Sequence, residues 1–279
     1  MTPEGDSAGR PWAGRTFQHH DTAYAGDDGS APEVFLAASA ALRDGSGDLA
    51  GVVEALRGSR LLVPLVAEAG ETGVVDGRTV DKSQELSIVA VAGPDGAPIL
   101  PMTSSADAMR AWRPDARPVP ASIERCAAAA LEDAGRVVVD PGSPTEVVLR
   151  RSALAALLSG EAWIAPHRHP LVQAELVAPL LAIGGVEAVA LADADPTARL
   201  LGRELEVRAV ASPGVDRAAV QAAFERVVAG IGARRDAWQD AVTDVAIEVV
   251  WLAQPTRIAS GPHVAVYRAH RPAPGAPIR

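Results

Sequence analysis

No part of the chain restricts the fold as tightly as residues 204–252. Glu204 to Val210 alternates strictly. Leu205, Val207 and Ala209 fall on one side, and Glu204, Glu206 and Arg208 on the other. That period of two is the signature of a half-buried strand. Val220, Ala223, Phe224, Val227, Val228 and Ile231 then recur at helical spacing, with Asp216 placed as the N-cap. Val245, Ile247, Val249 and Trp251 realign within Asp244–Leu252 as another strand. A chain that passes strand, helix, strand in this way has to bury one sheet face beneath the helix. Val172–Ile183 adds a helix that Pro179 kinks or restarts. Val186–Leu191 adds a strand and Val264–Tyr267 a short edge strand. The order α-β-β-α-β predicts a small sheet with helices on one face over residues 171–270.

Residues 32–162 carry a second, more broken pattern. Val34–Leu42 and Leu49–Leu56 read as helices, the second with Asp48 as its N-cap and Gly58 as its stop. Leu61–Val66, Leu86–Ala92 and Pro98–Met102 read as strands. Gly93-Pro94-Asp95-Gly96 turns between the last two. Ser104 or Ser105 starts a short helix through Trp112, and Ser104 with Asp107 has capping-box spacing. Ile123, Cys126, Ala127, Ala130, Leu131 and Ala134 share one helical face. Val137–Val139 and Glu146–Leu149 flank an Asp140-Pro141-Gly142-Ser143 turn, and Ser152–Leu158 closes the region as a helix. Residues 1–31 and 271–279 have no period and read as disordered tails, and 163–170, with two prolines and two histidines, as a linker. The predicted class is α+β, two small mixed α/β domains, each a short sheet covered by helices.

Composition removes several functions. The single cysteine, Cys126, allows neither an intrachain disulfide nor a cysteine zinc site, so a reducing cytoplasm is the expected compartment. The opening Met-Thr-Pro-Glu-Gly-Asp has neither a basic start nor an apolar core, so no secretory leader is expected. Leu171–Ala192 is the longest apolar stretch, but Gln173, Glu175, Pro179 and Glu187 interrupt it, and no membrane span is expected. The formal net charge is −9, which disfavours a phosphate backbone and hence nucleic acid as a partner. All of that excess lies in residues 1–166, with 14 basic and 23 acidic groups; residues 167–279 carry 12 of each.

Four short motifs, in order, carry a family resemblance. They are Leu61-Leu62-Val63-Pro64-Leu65-Val66, the Gly93–Met102 hairpin running into Thr103-Ser104-Ser105, Trp112 at the end of the following helix, and Val137-Val138-Val139-Asp140-Pro141-Gly142-Ser143. This set resembles the N-terminal domain of the SseB family, bacterial proteins named for enhanced serine sensitivity. Asp140 stands where that family has Asn, and Met102 where Phe is common; both suit the same turn and strand. Residues 171–252 are similar in layout to the family's C-terminal domain. The resemblance implies the two-domain fold and no particular reaction.

Candidate chemistry is sparse. Thr103, Ser104 and Ser105 group three hydroxyls at a helix start, where they either cap the helix or seat an anion. Asp140 and Ser143 read first as turn formers. Convergence of these two loops with Lys82 would make a small-anion or amino-acid site. Gly45-Ser46-Gly47 with Gly51 reads as a turn between helices, His167-Arg168-His169 as linker, and Cys126 as a buried inert thiol. The acids at Glu132-Asp133 and at Asp193 and Asp195 read as solvated surface. No Gly-x-Ser-x-Gly, His-Glu-x-x-His or Walker pattern is present. No catalytic residue, metal ligand or cofactor is therefore expected. The leading expectation is a non-enzymatic cytoplasmic interaction or regulatory module, with protein partners or self-association. The alternative is a small-molecule binder or unrecognised enzyme with a pocket near Ser104 and Asp140.

Overall fold

The computed structural model describes residues 24–67, 72–75, 78–81, 86–88, 90–254 and 259–269. Lys82, His19, His20 and the 271–279 tail lie outside the described residues, as do residues 1–23 of the predicted N-terminal tail. Among the described residues no helix is long and apolar enough to cross a membrane.

The first domain opens with α1 (Glu33–Asp44), which ends at Gly45 in the left-handed region, and α2 (Leu49–Leu56), whose N-cap Asp48 accepts the Gly51 N–H. β1 (Arg60–Ala67), β2 (Thr72–Val75), β3 (Arg78–Asp81), β4 (Leu86–Ile88), β5 (Val91–Ala92) and β6 (Pro98–Met102) follow. Then come α3 (Ala106–Trp112), β7 (Arg117–Ser122), α4 (Ile123–Glu132), β8 (Val137–Val139), β9 (Val147–Leu149) and α5 (Arg151–Ser159). β1 pairs antiparallel with β7 and β4. Reciprocal backbone bonds between Leu62 and Thr103, 2.8 and 3.0 Å, stitch it to the end of β6. β6 runs parallel to β8, and β8 antiparallel to β9. One face carries the helices, whose Phe35, Val52, Leu56, Ile123, Ala127 and Leu154 pack on Leu61, Met102, Val139 and Leu149.

Three expectations change. The single strand read over Leu86–Ala92 is two pieces, β4 on β1 and β5 on β6. The hairpin β2–β3 and the strand β7 are additions. β7 escaped the pattern because it carries Pro118 and Pro120. A missing N–H is tolerated there because β7 lies at the sheet edge. The last residues of the expected tail are held: the Arg60 guanidinium donates to both Asp27 oxygens and to the Ser30 carbonyl, and Ala106 N–H donates to Gly29 O at 2.8 Å.

The second domain begins with one broken helix. α6 (Pro170–Val172) passes through a π turn at Gln173–Val177 into α7 (Ala178–Leu181). The wide turn precedes Pro179, which has no N–H to offer the Glu175 carbonyl. β10 (Val186–Ala192), β11 (Leu205–Ala211), α8 (Arg217–Ala233), β12 (Val245–Trp251) and β13 (Val264–Arg268) complete it. The sheet order is β12-β11-β10-β13, with β11 and β12 parallel across the α8 crossover and the other pairs antiparallel. Leu176, Leu180, Val220, Phe224 and Ile231 cover Val189, Leu191, Leu205, Val207 and Ala209 on one face. The predicted linker is no free tether. Its Pro166–Arg168 forms a 3₁₀ turn, and His167 in it is buried and bonded to Pro262 O.

A strap, residues 193–203 between β10 and β11, crosses to the first domain. Ala198 O accepts the Val148 N–H at 2.7 Å and so closes the β9 edge. Ala198 joins the helix-side core, while Leu200 covers Ile99, Val138 and Val148 on the opposite face. The strap thus wraps the edge strand. Its return needs Gly202: a Cβ there would lie 2.0 Å from the Ala194 carbonyl oxygen. Gly202→Ala is expected to lower stability by about 1–3 kcal/mol through this overpacking. Hydrogen exchange of Val148 should rise with it, measured against a chemical-denaturation curve.

Candidate functional site

Two of the predicted site residues meet. β8 is followed by Asp140, whose φ of 53° is left-handed, a region that Asp tolerates better than most side chains. The turn aims its carboxylate inward, 1% exposed. Oδ1 accepts the Ser104 N–H at 2.6 Å, and Oδ2 accepts the Ser104 and Thr145 hydroxyls, each at 2.7 Å. Ser143 stays in the turn: its N–H donates to Asp140 O, and its Oγ lies 2.9 Å from Thr145 Oγ1. Ser105 rather than Ser104 caps α3, accepting the Ala108 N–H at 3.0 Å, so the Ser104–Asp107 capping box does not form. The Thr103 hydroxyl is buried without a hydrogen-bond partner. The converging loops therefore make a latch rather than an anion seat. An anion would face the Asp140 carboxylate and find the Ser104 donors already committed.

The larger polar cluster lies where the domains meet. Asp195, in the strap, accepts N–H bonds from Arg199, Leu200 and Leu201 at 3.1, 2.8 and 3.2 Å. These hold Ala198 and Leu200 at φ of 50° and 57°. Arg150, just ahead of α5, donates to Asp195 Oδ2 at 3.0 Å and to Gly202 O at 2.7 Å. The two side chains are 10% and 4% exposed. Glu204 Oε1 accepts the Ser152 hydroxyl at 2.9 Å, and its Oε2 accepts the Thr243 N–H and hydroxyl at 2.8 and 2.9 Å. Trp163 Nε1 donates to Ser152 Oγ at 3.1 Å. Arg199 reaches Glu146 Oε1 at 2.8 Å. Burial alone would raise the Glu146 pKa; Arg199, the Gly142 N–H and Arg43 outweigh it and lower it. Asp195 and Glu204 are thus buried and bonded, which corrects the solvated reading of Asp195. The sequence signal available for Asp195 was its place before Pro196, a turn-initiating pair. Nothing local marked Arg150 as its partner.

Arg150, Ser152, Trp163, Asp193, Asp195 and Glu204 line a junction cavity of about 30 Å³, room for a water or two. Beside it a groove of about 330 Å³ is lined by Asp95, Arg136, Arg150, Arg151 and Asp244. Arg136 pairs with Asp95, and Arg150 with Asp244. Among the described residues no group of three or more His, Cys, Asp or Glu could hold a metal ion. Cys126 is buried, and burial pushes its thiol up to about 12, so it keeps its proton and is a poor nucleophile at neutral pH.

The strands β1 to β9, the Ser104–Asp140 latch and the covering helices occupy one sequence segment. Residues 35–156 match the family model described as SseB protein N-terminal domain. This segment is similar to an SseB N-terminal domain. The match ends inside α5 and does not reach the strap or the second sheet. No curated protein and no solved structure matches the chain.

Two outcomes follow from this geometry. Asp140→Ala strands the Ser104 and Thr145 donors and puts alanine in a left-handed position. Denaturation should show a loss of about 3–5 kcal/mol, with Asp140→Asn losing less than half as much. His167 gives a pH effect. Its Nε2 lies 3.1 Å from Pro262 O, and its Nδ1 is buried with no partner. Burial lowers its pKa below 6.5, against the opposing charge of Asp193. The unfolded chain therefore binds the proton first as pH falls, and stability drops below about pH 6.5. Melting curves from pH 8 to 5 should show this drop in the wild type and a shallower one in His167→Gln.

Proposed function

We propose that this protein is a non-enzymatic cytoplasmic interaction or regulatory module of the SseB family whose two domains act as one body. The observation that carries the reading is the strap. Its Asp195–Arg150 contact commits two buried charges of the junction to holding the domains in one arrangement. Asp140 is likewise committed to its latch. What such a body offers to other molecules is a fixed composite surface. The second domain, similar in layout to the SseB C-terminal domain, supplies part of that surface and no net charge. The first domain carries the acidic excess, and the partner favoured by that field is a basic protein.

Capture from native lysate tests this reading. The expected result is a specific basic partner whose binding weakens about tenfold or more when the junction is loosened by Arg150→Ala or Gly202→Ala. Removing one member of a buried ion pair costs about 3–5 kcal/mol, so circular dichroism must first show both variants folded. A purified protein that turns over a small molecule, or that binds no partner at any salt concentration, overturns the module.

A further inference from the structure

The sheet edges of this protein are unequally protected. β7 carries Pro118 and Pro120, β9 is closed by the strap, and β5 has two residues. β12 is different. It runs seven residues in unbroken register with β11, from Val245 opposite Leu205 to Trp251 opposite Ala211. It holds no proline, lysine or bulge, and one charge, Glu248. Among the described residues, no backbone hydrogen bond outside the sheet ladder involves Val245–Trp251. Such an edge is a template for another strand.

We infer that β12 pairs antiparallel with β12 of a second copy of this chain, about a two-fold axis at Glu248. The strand Val-Ala-Ile-Glu-Val-Val-Trp is self-complementary about that point. Val245 comes opposite Trp251 of the second copy, Ala246 opposite Val250, and Ile247 opposite Val249, so every flanking pair is apolar. Aromatic and β-branched cross-strand pairs of this kind are stabilising. Pairs in this register keep their facing, so the helix-covered faces of the two sheets stay on the same side. The two central carboxylates do not meet bare. Arg208 Nε holds each Glu248 at 2.8 Å, placing a cation on the outer side of each acid. Arg208 also pairs with Glu206, so each Glu248 is compensated in part, and the one facing pair of like charges weakens the dimer without forbidding it. The result is an eight-stranded sheet with isologous symmetry. This pairing does not depend on the basic partner proposed above.

Sedimentation equilibrium of the full chain over a concentration series tests the pairing. The expected result is a reversible shift from 28.7 kDa to twice that mass. Ala246→Lys with Val250→Lys sets cations opposite one another and should hold the protein monomeric while its melting curve stays cooperative. Glu248→Gln should tighten the dimer about two- to fivefold. Glu248→Cys fixes the register, because paired Cα atoms on the axis lie about 4.5–5.5 Å apart, within disulfide reach. Mild oxidation should link it into a dimer, while the buried Cys126 stays unreacted. A single 28.7 kDa species throughout overturns the inference, as does a dimer that survives the double lysine variant or that Glu248→Cys fails to link.

Discussion

The arrangement of the two domains depends on one carboxylate. Asp195 is taken out of water, which costs several kcal/mol for an ion of this size. It is tolerated because three consecutive N–H groups of the strap and the Arg150 guanidinium all point at it. Each side of this contact needs the other. Without the carboxylate, Ala198 and Leu200 have little to hold them in a left-handed backbone. Without Arg150, the carboxylate is a buried uncompensated charge. Local strain in the strap and long-range docking between domains are thus settled by the same atom group.

That contact explains why the first sheet can be so irregular. Its strands are short, several contain proline, and β8 and β9 have three residues each. A sheet of this kind has few ladder bonds to spare at its edges. The strap supplies an edge bond to Val148 and an apolar cover in Leu200. The Asp140 latch fixes the β8–β9 turn from the other end. The second sheet needs no such help, because β10, β11 and β12 are seven residues each and are covered by apolar side chains of the broken helix and of α8.

What could be read from sequence was what is local. Asp48 and Asp216 cap the helices they precede, and the alternation from Glu204 to Val210 gives the facing found in β11. Ser104 and Asp140 were reached for local reasons, as a helix start and a turn, and their bond spans 36 residues. Arg150 with Asp195, and His167 with Pro262, are 45 and 95 residues apart. No period or spacing connects them, so an acid that belongs to the junction looked like one that belongs to solvent. Glu204, just ahead of β11, shows the same limit: its polar side was legible, but not the Ser152 and Thr243 partners that bury it.

The wrapped β9 edge also sets an order of events during synthesis. Domains form as units from the N-terminal end while the ribosome adds about 5–20 residues per second. β9 is complete at Leu149, but the residue that covers its outer face is Leu200. About fifty more residues must be made before that cover exists, an interval of roughly 3–10 s. Through that interval Ile99, Val138 and Val148 stand open beside an uncovered strand edge. The segment that matches the SseB N-terminal domain is therefore shorter than the segment that must be made before its edge is covered.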